Sequence, residues 1–231
     1  MTVKHCISTL LIVATPVVAL ASCADQASGN HAASSARSTS TAAPATGTDL
    51  AAVALSTDEI RRMMNDATLV KTATWRHAVA GLGVSFTPPQ CSVVAANGLH
   101  AALDGTGQTG IYYVNYVSTA APMVQVGEGV IGFPDPGAAH AFIAAQQPVW
   151  RECADIDMDM KIGDQTATQH SDALQVDGDM LSISFAPAPG SRCMRTLAVR
   201  NKVAIDNLVC SADPAEAATA IATSMLDKVP H

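Results

Sequence analysis

The segment CMRTLAVRNKVAIDNLVC, residues 193–210, contains the clearest structural signals of the chain. Apolar residues follow a period of two along Met194–Arg200 and again along Val203–Val209, which is typical of strands. Asn201 and Lys202 stand between the two runs and leave room for a two-residue turn. The stretch therefore predicts two antiparallel strands joined as a β-hairpin.

The same hairpin predicts which cysteines pair. If Arg200 and Val203 form the hydrogen-bonded pair next to the turn, counting outward brings Cys193 opposite Cys210. Both cysteines then fall at a non-hydrogen-bonded position, where Cα atoms lie about 4.5 Å apart, a separation that a disulfide tolerates. Lys202 is the weak point of this register, because glycine would suit a primed turn better.

Two further cysteines, Cys91 and Cys153, would then form a second disulfide. Four cysteines allow three complete pairings, so this assignment depends on the hairpin. Export of the chain would favour both bridges, because disulfides persist outside the cytoplasm. The alternative is a metal site built from all four cysteines, but they are widely spaced without a CxxC pair. We predict no metal and no other cofactor.

Three helices are predicted outside the hairpin. The capping box Ser56-Thr57-Asp58-Glu59 starts the first helix. A second helix begins at Asp135-Pro136 and is expected to stop at Pro148, because proline removes a helical hydrogen bond. A third follows Asp213-Pro214. The predicted helices cover about residues 56–66, 136–147 and 214–228.

Between the helices the apolar period changes to two, which indicates strands. The strands cluster together, and several joints are too short for a crossover helix. The predicted fold class is therefore α+β, an antiparallel β-sheet packed by flanking helices and stabilised by two disulfides. Besides the hairpin, the predicted strands cover residues 112–117, 123–133, 156–162, 168–176 and 180–185.

The N-terminus has the layout of a secretory signal. Lys4 precedes an apolar run over residues 7–20, and the small residues Ala21 and Ser22 follow. The run of about 14 residues is shorter than the roughly 20 that a helix needs to cross the hydrocarbon core of a membrane. We therefore predict that residues 1–22 are a cleavable signal peptide and not a permanent transmembrane anchor.

A lipid anchor is predicted directly after this signal. Leu20-Ala21-Ser22-Cys23 resembles the bacterial lipobox, in which the cysteine receives a diacylglyceryl group and the chain is cut immediately before it. Lipid on Cys23 would hold the protein at the extracytoplasmic face of the cell membrane, since two acyl chains give stable anchoring. The alternative is ordinary signal cleavage close to a cysteine that carries no lipid.

The remaining chain divides into a spacer and a domain. Residues 23–54 are rich in Ala, Ser, Thr and Gly, with few large apolar side chains to repay the entropy of ordering, which favours a flexible linker. Residues 55–231 are predicted to form one domain, expected to be a monomer. The chain has 13 Lys and Arg against 20 Asp and Glu, a formal charge of −7. Without a basic cluster, nucleic acid is excluded as a partner.

Five short motifs follow one another in a characteristic order. They are Pro88-Pro89-Gln90-Cys91, Val130-Ile131-Gly132-Phe133-Pro134, Trp150-Arg151-Glu152-Cys153, Cys193-Met194-Arg195 and Val203-Ala204-Ile205-Asp206. Over about residues 56–229 this order resembles the PknH-like extracellular sensor domain family. That family includes the external domain of a mycobacterial serine/threonine kinase and many mycobacterial lipoproteins without a kinase.

The resemblance implies an antiparallel sheet flanked by helices, two disulfides paired in sequence order and a cleft proposed to receive a small ligand. This agrees with the pairing argued from the hairpin. The resemblance identifies neither the ligand nor any individual ligand-binding residue, so both stay unknown at this stage.

We predict no catalytic residues. Ser85 lies in Gly83-Val84-Ser85-Phe86, which lacks the second glycine of a nucleophile elbow. Cysteine catalysis is disfavoured because the domain cysteines are expected to be oxidised. The histidines are scattered without metal-binding spacing, and surface or structural roles are expected for His77, His100, His140 and His170.

Alternating acids invite a calcium interpretation. Asp155, Asp157 and Asp159 resemble the opening positions of an EF-hand loop. Met160 stands where that loop needs glycine, and Thr166 where it needs a bidentate glutamate. Because apolar residues alternate with the acids, a strand with one solvated face is the preferred interpretation.

Aromatic residues offer two kinds of role. Trp150 could stack a ligand, but its position close to Cys153 favours packing over the disulfide. Strand alternation puts Tyr113 on the face opposite to Tyr112 and Tyr116, and one of these faces could line a cavity.

These observations favour a lipid-anchored, extracytoplasmic, sensor-like domain that is not an enzyme and binds a small molecule or a cell-envelope component in a cleft. The alternative is a protein–protein interaction module of the cell envelope. A third hypothesis, an unrecognised envelope hydrolase, would need a catalytic set that the sequence does not reveal.

Overall fold

A computed structural model of the chain describes residues 49–79, 83–188 and 190–230. Its helices are α1 (Leu50–Val53), α2 (Thr57–Met64), α3 (Ser92–Ala95), α4 (His100–Leu103), α5 (Pro136–Glu152) and α6 (Ala215–Asp227), with a 3₁₀ turn at Pro89–Cys91. Its strands are β1 (Leu69–Trp75), β2 (Val84–Thr87), β3 (Gly110–Ser118), β4 (Gln125–Gly132), β5 (Asp157–Ile162), β6 (Gln165–His170), β7 (Gln175–Asp177), β8 (Met180–Ala188), β9 (Ser191–Arg200) and β10 (Val203–Ser211).

The strands form two sheets. The larger has seven strands in the order β1-β3-β4-β10-β9-β8-β7, and every neighbouring pair is antiparallel. The smaller has the order β2-β5-β6. The predicted α+β class, with an antiparallel sheet packed by helices, is confirmed.

The β9–β10 hairpin has the predicted register. Arg200 pairs with Val203 next to the turn, and Cys193 pairs with Cys210 at the far end. Asn201 takes the left-handed conformation with φ 53°, so the first turn residue provides the positive φ there. The Cα atoms of the bonded cysteines lie 4.0 Å apart, near the expected spacing.

The second disulfide joins Cys91 to Cys153, with Cα atoms 5.5 Å apart. Cys91 ends the 3₁₀ turn and Cys153 caps the C-terminus of α5. Both predicted disulfide pairings are therefore present.

The seven-stranded sheet is covered on both faces. One face, here called the Trp150 face, carries Tyr113, Leu197 and Leu208 and is covered by α3, α4, α5 and residues of the smaller sheet. The other, here called the α6 face, carries Tyr116 and Ile205 and is covered by α1, α2 and α6. The predicted alternation of the tyrosines is confirmed, because Tyr113 and Tyr116 belong to different cores.

All three predicted helices are present, and only the predicted end of the second is wrong. The Ser56 capping box is formed, and α6 lies where the Asp213-Pro214 signal placed it. Helix α5, however, continues through Pro148 to Glu152. We attribute this to the last turn, which buries Trp150 completely and leads to a disulfide; that burial outweighs the missing backbone hydrogen bond.

The predicted single strand over residues 168–176 is also wrong. The chain leaves the smaller sheet after His170 and joins the larger one at Gln175. Ser171 lies between them, fully buried, and its hydroxyl donates to the Cys153 carbonyl oxygen at 2.6 Å. This hydrogen bond fixes the chain where it passes from the smaller sheet to the larger one. Strands β1 and β2 and the short helices α1, α3 and α4 were not predicted.

The predicted boundary between the linker and the domain, at residues 54 and 55, lies too far toward the C-terminus. Leu50–Val53 form helix α1 with Asp49 as its N-cap, and Val53 is 1% exposed. The folded part therefore begins at or before Asp49 and not at residue 55, because α1 supplies apolar side chains to the α6 face. Cys23 and the predicted signal peptide lie outside the described residues. Within the described ranges, no helix combines the length and apolar character needed to cross a membrane.

Candidate functional site

Two glycines shape the Trp150 face of the central strand β4. A Cβ atom on Gly129 would lie 2.1 Å from Cε1 of Tyr113, and one on Gly127 would lie 2.7 Å from Nδ2 of Asn97. The absent side chains let the Tyr113 ring and the Asn97 amide lie directly on the strand. Glycine inside a strand often marks such a close approach.

The segment Val93–Gly98, here called the wall segment, lies beside Gly127 and Gly129 of β4. It contains the end of α3 and reaches Gly98, whose φ of 73° lies in the left-handed region. A Cβ at Gly98 would also come within 3.2 Å of the Tyr113 ring. The positive φ therefore favours glycine at this position, and the tight contact adds to that preference.

A buried ion pair lies beneath the wall. The Arg195 side chain is 2% exposed and that of Asp206 is 3% exposed. Arg195 donates from Nε to Asp206 Oδ1 at 2.6 Å, and its Nη2 contacts the same oxygen. Asp206 Oδ2 accepts hydrogen bonds from the Tyr113 hydroxyl at 2.6 Å and from the Gly98 amide at 3.0 Å. Both oxygens of this buried carboxylate are satisfied.

Arg195 also binds the end of helix α3. Its Nη1 donates to the Val93 carbonyl oxygen at 2.7 Å and to that of Ala96. Its guanidinium carbon lies 5.6 Å from the centroid of the Trp150 ring, a cation–π distance. The pair of Arg195 and Asp206 thus fixes the wall segment to the sheet from below.

Tyr113 acts as a hydrogen-bond donor in this arrangement. Burial raises its pKa well above the usual value, and the neighbouring Asp206 carboxylate raises it further. The phenol therefore stays protonated and cannot serve as a general base near neutral pH. Its hydroxyl is committed to Asp206, while its ring forms part of a cavity.

The cavity lies over Gly127, beside the segment Val93–Gly98, and has a volume of about 260 Å³. Two aromatic, four aliphatic and three side-chain amide residues line it, together with two glycines. These residues are Trp75, Tyr113, Val79, Ala96, Val114, Leu208, Asn97, Asn115, Gln125, Gly98 and Gly127. Val79 is held beside the wall segment, because its amide donates to the Gly98 carbonyl oxygen at 2.9 Å.

The amides at the cavity are held in place by hydrogen bonds. Gln125 Nε2 donates to Asn115 Oδ1 at 3.2 Å, and Asn115 Nδ2 donates to the Thr72 hydroxyl at 2.9 Å. Asn97 Nδ2 donates to the backbone carbonyl oxygen of Asp206 at 3.3 Å. All three amides are only partly buried, so they remain within reach of a ligand.

Two of the three alternating acids lie on a strand, as preferred from the sequence, whereas Asp155 precedes the strand with a left-handed φ of 58°. Asp157 and Asp159 belong to β5, where Asp157 is paired with His170 of β6. The ring of His170 contacts Asp157 Oδ1 at 2.9 Å and Asp155 Oδ1 at 3.5 Å, which raises the pKa of the histidine. In the ranges that the structure describes, no cluster of three metal-ligating side chains forms.

The other candidate residues are dispersed. Ser85 is exposed on β2, and the described hydrogen bonds include none between it and a histidine. His77 and His100 are exposed, and His140 contacts Asp179 at 3.5 Å on a different surface.

Trp150 cannot stack a ligand because it is 0% exposed. It lies in the same core cluster as Cys91 and Cys153, as the packing interpretation expected. The tryptophan that reaches the cavity is Trp75, which sequence reasoning did not single out. Its strand was not predicted.

The chain thus forms a disulfide-bonded α+β domain. The chain belongs to the PknH-like extracellular domain family, whose profile matches residues 45–228. Among solved structures, it is similar to the crystal structure of the extracellular domain of PknH from Mycobacterium tuberculosis, with a TM-score of 0.72 and 20% sequence identity. The match covers 77% of this chain and 93% of that one and concerns the fold. A comparison with curated protein sequences found no relative.

Apart from Tyr113, the residues of the cavity were not identified from the sequence. One signal was available, the spacing of Gly127 and Gly129 within a strand pattern, because a strand interior disfavours glycine. The tyrosine alternation was also visible, but not which face carried the cavity. Tyr113 and the two glycines together identify that face.

Proposed function

We propose that the protein is a lipid-anchored, extracytoplasmic, sensor-like domain that binds a small molecule or a cell-envelope component in the cavity over Gly127. The observation that carries this proposal is the cavity itself. Its floor includes the strand glycine Gly127, and its wall is fixed by the Arg195–Asp206 pair. A pre-formed concave site with a few oriented polar groups is the usual form of a small-molecule site.

A non-catalytic role is supported by the chemistry beneath the cavity. Arg195 and Asp206 are buried and paired with each other, so neither is available to a substrate. Tyr113 is protonated and donates to Asp206. The remaining polar groups are amides, which neither transfer protons readily nor act as nucleophiles.

The lipid anchor is the second part of the proposal. It is supported by the lipobox-like Leu20-Ala21-Ser22-Cys23 and by membership of an extracellular domain family. Mass spectrometry of the protein extracted from membranes should find a diacylglyceryl group on an N-terminal Cys23. A Cys23→Ser variant should lose that mass and leave the membrane fraction; retention of residues 1–22 on the native protein would contradict the anchor.

Ligand binding can be tested by thermal shift with the purified full chain against envelope glycans, lipids and metabolites. A ligand at about 100 times its Kd should stabilise the protein by about 2.7 kcal/mol. The shift should disappear in Gly127→Ala, whose methyl group would collide with Asn97. Gly137→Ala is the matched control, because Gly137 is exposed in the first turn of α5. A library without any reproducible shift would contradict the proposal.

A second candidate function is docking to another envelope protein along strand β1. This strand forms one edge of the larger sheet, and Val70 on it is 38% exposed; Met123 in the β3–β4 loop is 69% exposed. Edge strands can pair with a further strand from a partner. Photo-crosslinking from position 70 in cells should then capture one defined partner, whereas labelling of the chain alone would contradict docking at this edge.

A further inference from the structure

The lining of the cavity carries no charge. None of the residues assigned to its walls is Asp, Glu, Lys, Arg or His. The ion pair below is shielded, because Asp206 Oδ2 is covered by the Tyr113 hydroxyl and the Gly98 amide. A charged ligand would lose hydration on entry without gaining an opposite charge, which is unfavourable. The cavity therefore favours an uncharged ligand.

The polar groups that do reach the cavity suit hydroxyl groups. Each of Asn97, Asn115 and Gln125 offers a carbonyl acceptor and an amino donor. A hydroxyl group is also both donor and acceptor, so one amide can satisfy it in either direction. The chain of hydrogen bonds from Gln125 through Asn115 to Thr72 holds two of these amides in place before a ligand arrives.

The rest of the lining is apolar and partly aromatic. Trp75 and Tyr113 contribute ring surfaces, and Val79 and Leu208 contribute aliphatic surface. A volume of about 260 Å³ is small for a ligand pocket and matches one ring-sized molecule better than an acyl chain. The apolar part of the lining favours a ring with apolar C–H faces, and the amides favour hydroxyl groups on the edge of that ring.

We propose that the ligand of this cavity is a neutral sugar, an inference that rests on the proposed ligand-binding function. The hydroxyl groups of the sugar bind the amides of Asn97, Asn115 and Gln125. An apolar face of the sugar ring packs against Trp75. The uncharged lining discriminates against sugar acids and amino sugars of the same ring size.

Intrinsic fluorescence provides a direct test, because the chain has two tryptophans and Trp150 is 0% exposed. The full chain is titrated with glucose, mannose and galactose, and with glucuronate and glucosamine as charged counterparts. We expect a saturable change in emission with a neutral sugar and binding at least about tenfold weaker for both charged sugars. Trp75→Phe should abolish the change in emission, since it removes the reporter at the cavity.

Calorimetry on variants locates the sugar. Asn97→Ala should weaken binding about tenfold, because one buried hydrogen-bonding partner of the ligand is lost. Gly127→Ala should weaken it through displacement of the same amide, and Gly137→Ala should leave it unchanged. Circular dichroism of each variant verifies that the fold is retained, so that lost binding is not confused with unfolding.

The outcomes separate the two proposals. Indole is titrated as well, as an uncharged aromatic ring without hydroxyl groups. If glucuronate or glucosamine binds as tightly as the neutral sugars, or if indole binds while the sugars do not, the sugar assignment is overturned. The cavity then keeps its proposed function, provided that Gly127→Ala abolishes the signal. If the sugars and indole do not bind but a compound of the thermal-shift library does, only the sugar assignment is overturned. If none of these compounds binds, or if the cavity variants leave binding unchanged, the proposed ligand site is contradicted together with the sugar assignment.

Discussion

Two buried carboxyl groups in the same sheet differ in whether a cationic side chain is paired with them. On the Trp150 face, Asp206 receives hydrogen bonds from Arg195, Tyr113 and Gly98. On the α6 face, Glu128 is 0% exposed, and its Oε1 accepts from the Leu55 amide at 3.1 Å. No hydrogen bond to Glu128 Oε2 exists among the described residues. One carboxylate is compensated by a guanidinium, and the other is not.

The consequence for Glu128 is a change in protonation. Burial raises its pKa from 4.5 to about 8, because the charged form would be poorly solvated. The hydrogen bond from the Leu55 amide lowers this pKa, but by less than burial raises it. At neutral pH Glu128 is therefore mainly protonated. A sheet can thus bury an acid either by pairing its charge or by keeping its proton.

The surroundings of Glu128 are also polar. Asn207 lies beside it on β10, and Thr196 lies opposite Asn207 on β9. Both are fully buried, and within the described ranges Asn207 Nδ2 and Oδ1 and Thr196 Oγ1 have no hydrogen-bond partner. The α6 face therefore carries a buried polar row, whereas the polar groups around Asp206 satisfy one another.

The largest expected effect comes from breaking the compensated pair. Asp206→Ala should destabilise the protein by about 3–5 kcal/mol, because Arg195 would keep a buried charge without a partner. Urea unfolding at pH 7 measures this, with the exposed Asp159→Ala as control. A loss below about 1 kcal/mol would show that the pair does not hold the wall segment as described.

The uncompensated acid should make stability depend on pH. In the unfolded chain Glu128 ionises near pH 4.5, whereas in the folded protein it keeps its proton until about pH 8. Stability should therefore fall as pH rises through this window, by up to about 1.4 kcal/mol per pH unit, and Glu128→Gln should remove that part of the slope. Urea unfolding at pH 5, 7 and 9 measures it.

The control for this pH dependence is Glu216→Gln, which changes an exposed glutamate of α6. That variant should keep the slope of the parent protein. Equal slopes for Glu128→Gln and the parent protein would mean that Glu128 is ionised in the folded state.

The smallest expected effect compares one hydroxyl on each face. Tyr113→Phe should cost about 1.5–3 kcal/mol, because its hydroxyl donates to a carboxylate, and Tyr116→Phe about 0.5–1.5 kcal/mol, because its hydroxyl donates to the Leu55 carbonyl oxygen. Thermal or urea unfolding of both variants gives the difference. The reverse order would contradict the description of Asp206 as a charged acceptor.

The fold was largely predictable because its signals are local. The period of two, the turn at Asn201 and the cysteines at both hairpin ends lie within residues 193–210. The helix caps at Ser56 and Asp135 are likewise local. Pro148 was misleading, because its local cost is outweighed by burial of Trp150, which depends on tertiary packing.

The site was not predictable to the same degree, because its contacts join distant parts of the chain. The hydrogen bond from Tyr113 to Asp206 joins residues 93 positions apart in the sequence, and the one from Arg195 to Val93 joins residues 102 positions apart. Charged residues in a strand usually indicate a solvated face, whereas Arg195 and Asp206 here are almost completely buried. Only the packed structure distinguishes these possibilities.

The two glycines of β4, Gly127 and Gly129, should restrict which substitutions arise together in homologues. The Tyr113 ring occupies the space that a side chain at position 129 would need. Homologues that replace Gly129 with a larger residue should therefore replace Tyr113 with a smaller one, so that substitutions at the two positions arise together. The same covariation is expected between positions 127 and 97, where an amide fills the corresponding space.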